Sequence, residues 1–453
     1  MRTSYDVVII GGGIVGCAVL YTLTNFTNVK SVVLLEKNTN VGQENSNKKR
    51  NSKTLHEGFA ETNYSFEKMV RMRLAASLIK NYIIKKFGKI PRIFSGEKSF
   101  CFSLPFLVLA LDDEIDFLEK KYEQIRKVFP DVRLLQKQEI EKLEPNLVKE
   151  RSKDQAILAL FKQDGTVIDF GALAQELLQD SISTSNSHIL FNQKVKSINE
   201  KGDQIEVITE NSKFICKFLV TTASANSYYL AKSLGYLKED YALLHVKGNY
   251  YEYPLVLRSK VYRPQIEKIP FVAVHADPNP FISNPMLEFG PTTEINLSKE
   301  LEKDFDLDFL VEELLSNVKL MSVILNILND RETSRFIFKN LLYKIPIIGK
   351  EIFAQEARKL LPSINARKLV YRRGGVRPQL VDLKAKKLIL GEKIFEFGNM
   401  VFCITPSPGA SAAMLNAFEI CRKIHTSLDL KFYLDKYSRF FNISDDSLYK
   451  MVV

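Results

Sequence analysis

Three glycines, a carboxylate and two further polar turns are the parts of this chain whose types and spacing could do chemistry. Gly11-x-Gly13-x-x-Gly16 follows the apolar, β-branched run Asp6–Ile10 and opens a helix reaching Leu23. Gly11 permits a tight turn, Gly13 lets a pyrophosphate approach the backbone, and Gly16 lets the helix pack close on the strand. The helix start at Ile14 and Val15 offers unpaired N–H groups to phosphate oxygens. Glu36, with Lys37 beside it, closes a second buried run about 20 residues beyond the glycines. A carboxylate there takes ribose hydroxyls and repels a 2′-phosphate. The set predicts dinucleotide binding. Asn51-Ser52-Lys-Thr54-Leu55-His56-Glu-Gly58 mixes small, polar and glycine residues beside a histidine, as backbone lying against a ligand would. Thr405-Pro-Ser407-Pro408-Gly409-Ala410 runs from a buried strand, Met400–Ile404, into a helix to Ile424. It forms a second helix start that could meet an anion or a polar ring edge.

These turns need elements to hold them. Ser65 caps a helix over 66–87 that Gly88 ends, and Asp112–Phe129 is amphipathic. Ala156–Phe161 reads as a strand, Asp164-Gly165 as a turn, and Asp169 as the cap of a helix over 171–179. A β-meander near 190–221 returns to a buried run at 218–222 and a helix over 226–234. Ala242–Tyr253, Phe271–His275 and Met286–Phe289 read as strands, and helices are expected over 307–328 and 333–345. Asn38–Lys53 reads mostly as a solvated loop. The return of buried-strand character late in the chain predicts a discontinuous cofactor domain with a second domain inserted in pieces.

The chain has 453 residues, beyond one ordinary core. Its 45% apolar and 26% charged composition is that of a globular protein. The first strand begins within a few residues of Met1, which predicts no cleaved signal peptide and a location on the cytosolic side. The longest apolar run, Cys101–Leu111, is too short to span a bilayer. Five scattered cysteines (17, 101, 216, 403, 421) lack any CxxC and predict reduced, mostly buried thiols and no metal site. The net charge of +11 fits an anionic substrate or membrane surface. No zinc finger, basic zipper or RNA-binding signature accompanies it, so no nucleic-acid partner is expected. The stretch 333–350 sets apolar residues among Arg335, Lys339, Lys344 and Lys350, a composition that can lie in a membrane interface or on an ordinary surface.

The glycine motif with Glu36 resembles the two-dinucleotide-fold flavoproteins of the D-amino-acid oxidase and glycerol-3-phosphate dehydrogenase type. Within that group the chain resembles the malate:quinone oxidoreductase family, through Asn51–His56 with Glu61–Tyr64, Val272–Pro278, Phe289–Thr292, Gly374–Gln379 and Thr405–Ala410. The resemblance spans roughly residues 5 to 425. It implies an α/β fold in which a Rossmann-like, glutathione-reductase-type FAD domain (1–90, 155–235, 366–430) interleaves with a mixed-sheet α+β substrate domain (91–154, 236–365), followed by a tail (431–453). It implies FAD, held by Gly11, Gly13, Ile14, Val15, Gly16, Glu36, Lys37, Ser52, Thr54, Leu55, Val195, Gly375, Ser407, Pro408, Gly409 and Ala410. It implies L-malate as hydride donor, a membrane quinone as electron acceptor, and peripheral contact with an anionic membrane at the cytoplasmic face of the inner (cell) membrane. Oxidising a 2-hydroxy acid needs a carboxylate anchor and a base. Arg377 is the first anchor, because a guanidinium fork matches two carboxylate oxygens; Lys247 and Arg373 are further candidates. Histidine suits the base. His275 is favoured as base or hydrogen-bond donor, with His56 orienting or sharing the proton; His188, His245 and His425 are read as structural. Two alternatives stay open: a related flavin enzyme acting on 2-hydroxyglutarate, glycerol 3-phosphate or an amino acid, and a non-catalytic dinucleotide-binding partner protein.

Overall fold

The computed structural model describes residues 3–183, 186–237, 239–265, 274–298, 306–307, 311, 315, 317–345, 347–389, 391–404 and 408–444. Its centre is a sheet in which Met400–Ile404, Lys213–Thr221, Ser4–Ile10, Val32–Leu35 and Ser187–Leu190 lie side by side and parallel, with Lys393–Phe397 antiparallel on one edge. Strands Ser4–Ile10 and Val32–Leu35 are covered on both faces, which is why they read as unbroken apolar runs. Helix Ile14–Phe26 packs on this sheet and against helices Phe170–Ile182 and Ala413–Leu428, and all but one of its residues are buried. The meander, Val195–Lys201 and Gln204–Thr209, attaches antiparallel to the start of Lys213–Thr221.

Two further sheets carry the rest. A four-stranded sheet orders Glu294–Asn296, Tyr241–Lys247, Val376–Asp382 and Lys387–Leu388. An eight-stranded sheet runs Val370–Arg372, Tyr250–Pro254, Met286–Gly290, His275–Asn279, Lys260–Tyr262, Cys101–Leu111, Ile157–Ile168, Arg133–Gln136. Mixed α/β architecture with several sheets is therefore what the chain adopts.

Caps behave as their residue types require. Ser65 Oγ accepts from Lys68 N at the head of helix Phe66–Phe87, and Gly88 ends it at φ 81°. Asp169 Oδ1 accepts from Gly171 N and Ala172 N.

Several local expectations are corrected. Asp164-Gly165 does not turn the chain but lies inside the continuous strand Ile157–Ile168, paired with Cys101–Leu111. A Cβ on Gly165 would stand 2.8 Å from Cβ of Phe106, so the glycine serves strand packing at the irregularity around Pro105. Ala242–Tyr253 is two strands in different sheets, divided at Gly248, where the backbone of Gly374 crosses so closely that a Cβ there would fall 1.7 Å from Gly248 O. Residues 271–273 lie outside the described residues, and His275 begins its strand instead of ending one. Asn38–Lys53 is less solvated than expected: Val41, Ser46 and Lys53 are buried, because the loop folds back over the first helix start. The strand Ile157–Ile168 hydrogen-bonds into the eight-stranded sheet, Val370–Arg372 pairs at the edge of that sheet, and Val376–Asp382 lies in the four-stranded one. The five cysteines are free and buried. Among the described residues no helix is long and apolar enough to cross a membrane, and no group of three or more metal ligands forms.

Candidate active site

The glycine turn is built by the absence of side chains. Gly11 sits at φ 104°, and a Cβ there would meet Thr222 O at 2.9 Å. A Cβ on Gly16 would overlap Gly11 O at 2.0 Å, so no other residue lets helix and strand approach this closely. Gly13 is the N-cap of helix Ile14–Phe26 with no side-chain cap, and among the described residues only Ser46 Oγ, at 3.5 Å, faces its missing Cβ. Ser46 Oγ accepts from Ile14 N at 3.0 Å, while Val15 is buried. Gly12 N donates to Glu36 Oε2 at 2.6 Å, and Asn38 N donates to Glu36 Oε1 at 2.8 Å. Lys37 turns away to Glu44, 2.8 Å distant. Val195 opens the meander two residues beyond Gln193, whose N–H donates to Glu36 O. A helix start without a cap, a cradle that a Cβ would fill and a carboxylate at the end of the next strand fit a dinucleotide.

The second polar turn meets the loop Ser52–His56. Ser411 Oγ accepts from His56 N at 2.9 Å and donates to Thr54 O at 3.4 Å, bringing Pro408, Gly409 and Ala410 beside Thr54 and Leu55. Ser407 lies outside the described residues. Leu55 N donates to Thr166 O, and Thr54 Oγ1 bonds the Tyr262 hydroxyl at 2.9 Å. Gly375 presses on the chain just before this loop, where its Cβ would lie 2.3 Å from Arg50 O.

Past Tyr262 lies a chamber of buried charge. The His275 ring stacks on Tyr262, centroids 4.2 Å apart at 12°. His275 Nδ1 stands 2.7 Å from Asp277 Oδ2, misaligned for a linear hydrogen bond. Lys260 Nζ donates to Asp277 Oδ1 at 2.7 Å and to Ser52 O at 3.4 Å. Burial pushes the His275 pKa below its ordinary value; Lys260 and His56 push the same way, and Asp277 opposes them. Burial alone would raise the Asp277 carboxyl, but His275 and Lys260 reverse this and hold it well below the usual range. His56 Nδ1 lies 2.5 Å from Glu61 Oε1, and Glu61 Oε2 accepts from Gly58 N. The two histidines thus each face a carboxylate and lie close enough to sense one another's charge.

The cations sort by side. Arg377 is half-buried; among the described residues its Nη2 is covered and has no hydrogen-bond partner. Burial pushes its pKa down, with the Tyr250 phenol pulling the other way. Arg377 pairs with Val246 across the strands, while Lys247 pairs with Val376, so strand alternation puts the two cations on opposite faces. Lys247 is buried and partnered. Arg373 is exposed; its neighbour Arg372 turns inward, Nη2 2.9 Å from Glu288 Oε2 and the guanidinium over the Tyr250 ring.

Sequence reasoning missed Lys260, Asp277, Glu288 and Ser411 as site residues. Lys53 and Glu288 are wholly buried and paired at 2.5 Å, and Asn279 Nδ2 donates to the other Glu288 oxygen at 2.7 Å. The alternation Lys260-Val-Tyr262 and His275-Ala-Asp277 was the available signal, since i and i+2 share one face of a strand.

A family model for malate:quinone oxidoreductase matches residues 3–442. The malate:quinone oxidoreductase of Helicobacter pylori is 33% identical over 450 residues, covering 96% of this chain and 98% of that protein. A probable malate:quinone oxidoreductase of Campylobacter jejuni is 32% identical over 455 residues, covering 96% and 99%. Among solved structures, the FAD-bound L-alpha-glycerophosphate oxidase of Mycoplasma pneumoniae superposes with a TM-score of 0.63 at 18% identity, over 94% of this chain and 95% of that one. The L-amino acid deaminase of Proteus myxofaciens gives 0.65 at 16% identity, over 94% and 91%. Those two likenesses concern the fold. The family match and the full-length relatives together make the assignment: the chain belongs to the malate:quinone oxidoreductase family.

Proposed function

We propose that this protein oxidises (S)-malate to oxaloacetate and passes the electrons to a membrane quinone, with FAD as its resident cofactor. The observation that carries the site assignment is the covered, unpartnered Nη2 of Arg377 in a molecule whose chamber otherwise pairs its buried charges. A substrate carboxylate is the counter-ion this group lacks.

The glycine turn, the Val15 N–H and the Glu36 carboxylate hold the dinucleotide, and Ile14, whose N–H is already taken by Ser46 Oγ, lines the turn without donating. Glu36 retains lone pairs for ribose hydroxyls while accepting from Gly12 and Asn38. Ser52, Thr54, Leu55, Gly375, Pro408, Gly409 and Ala410 lie on the ring side, Lys37 and Val195 near the ribose end. Bound FAD supplies the hydride acceptor. Arg377 grips a carboxylate of the substrate and fixes the reacting carbon. His275, neutral because burial lowers its pKa, takes the hydroxyl proton at Nε2, the nitrogen turned away from Asp277. Asp277 orients the ring and steadies the imidazolium that forms; Lys260 keeps Asp277 ionised. His56, held at Nδ1 by Glu61, turns Nε2 toward the substrate, where it orients the hydroxyl or shares its proton.

The protein works at the cytoplasmic face of the cell membrane, in peripheral contact with an anionic surface. A basic surplus of 11 charges and an acceptor resident in lipid support this.

Anaerobic mixing with L-malate tests the reaction and should bleach the flavin band. Replacing His275 with Ala should lower turnover about a hundredfold with flavin retained. Turnover near wild type would remove His275 from the mechanism.

A further inference from the structure

Twenty large apolar side chains are exposed among the described residues, and eight of them fall within 318–348. An even scatter would put one or two there. The helix Arg331–Leu342 is inverted relative to an ordinary surface helix. Its buried residues are Thr333 and Asn340, and Asn340 Oδ1 accepts from Thr293 N at 2.6 Å. Its exposed residues are Arg331, Glu332, Arg335, Phe338 and Leu341, three or four apart in a stripe along one side. The apolar end of that stripe continues into Ile345, Ile347 and Ile348, the last two 86% and 59% exposed. The following helix, Ile348–Arg358, roots the turn in the body through buried Phe353, Ala354 and Ala357. Residues 331–359 carry seven basic and three acidic side chains.

We infer that this turn, led by Phe338, Leu341, Ile345, Ile347 and Ile348, dips into the interface of an anionic lipid bilayer, with Arg331 and Arg335 at the headgroups. An apolar tip on a rooted base gains by leaving water, and the basic surplus is drawn to anionic lipid. A second copy of this chain is the poorer occupant, because a two-fold contact sets the same positive surplus against itself. The inference rests on the membrane contact proposed above and names the surface that makes it.

The test is co-sedimentation of the flavin-loaded enzyme with phosphatidylcholine vesicles with and without phosphatidylglycerol. Wild type should bind the anionic vesicles more tightly. The double variant Ile347→Glu/Ile348→Glu should lose at least about tenfold in binding. It should keep malate turnover with a water-soluble dye and lose turnover with vesicle-embedded quinone. Phe94→Glu, an exposed apolar site elsewhere, should bind as wild type. Wild type that binds while the double variant binds equally well overturns the location and leaves membrane contact standing. Wild type that ignores all vesicles overturns both. A wild-type dimer that the double variant dissociates, with no vesicle binding, makes the face a self-association surface and overturns the inference.

Discussion

The glycine cradle and the charged chamber are built on opposite principles. The cradle works by leaving atoms out: Gly11, Gly13 and Gly16 give backbone room, and one carboxylate, Glu36, ties the turn to the next strand. The chamber works by packing ionised groups where water is absent: Lys53, Lys260, His275, Asp277 and Glu288 are all essentially buried. A cradle of backbone tolerates no added volume. A chamber of charges tolerates no subtraction, because each lost partner strands another ion.

That contrast can be broken at either end. The largest effect is expected from Gly16→Val, whose Cβ would overlap Gly11 O at 2.0 Å. It should cost about 3 kcal/mol or more and leave purified protein colourless, as read by urea unfolding and the visible spectrum. A yellow, stable variant would show that the turn can yield. Next is Glu288→Leu, which strands Lys53 and leaves Arg372 only its longer carboxylate contact, to Glu252. We expect a loss of roughly 3 kcal/mol in urea unfolding, largely recovered in Lys53→Met/Glu288→Leu, which restores an apolar match for one of the two cations. Failure of the second change to help would mean the pair is not the unit.

The smallest effect sharpens the comparison by titration. The folded His275 pKa is depressed, so below the unfolded value near 6.5 the unfolded chain binds the extra proton first. Stability should therefore fall as pH drops through that region. Asp277, also depressed, adds a further loss below the ordinary carboxylate value. For catalysis, kcat/KM should stay flat above neutrality and fall only on the acid side of the ordinary imidazole range. Asp277→Asn removes the charge that favours the imidazolium and should move that fall to lower pH, with slower turnover at every pH. An unmoved profile would assign Asp277 to structure alone.

The same contrast explains what could be read from the chain in advance. Gly11, Gly13, Gly16 and Glu36 announce themselves because their geometry is local, set by one strand, one turn and one helix. Helices 66–87 and 170–182 were equally legible from Ser65, Gly88 and Asp169. The chamber was not. Lys53 meets Glu288 across 235 positions, and Lys260 meets Asp277 only once two strands are placed side by side. A charged residue in a sequence reads as solvated until its partner is known. Arg372 and Arg373 show how fine the distinction is: Arg372 ends its strand turned toward Glu288, and Arg373, one residue past that strand, is exposed. Gly165 shows the reverse error, a glycine read as a turn when it marks a close approach between strands.

The Ser411 hydroxyl joins His56 N and Thr54 O, more than 350 positions away along the chain. Two loops that would otherwise fluctuate separately are thereby latched into one wall. Their freedom is given up during folding and not at the moment a ring system arrives, so an incoming cofactor finds a socket already shaped.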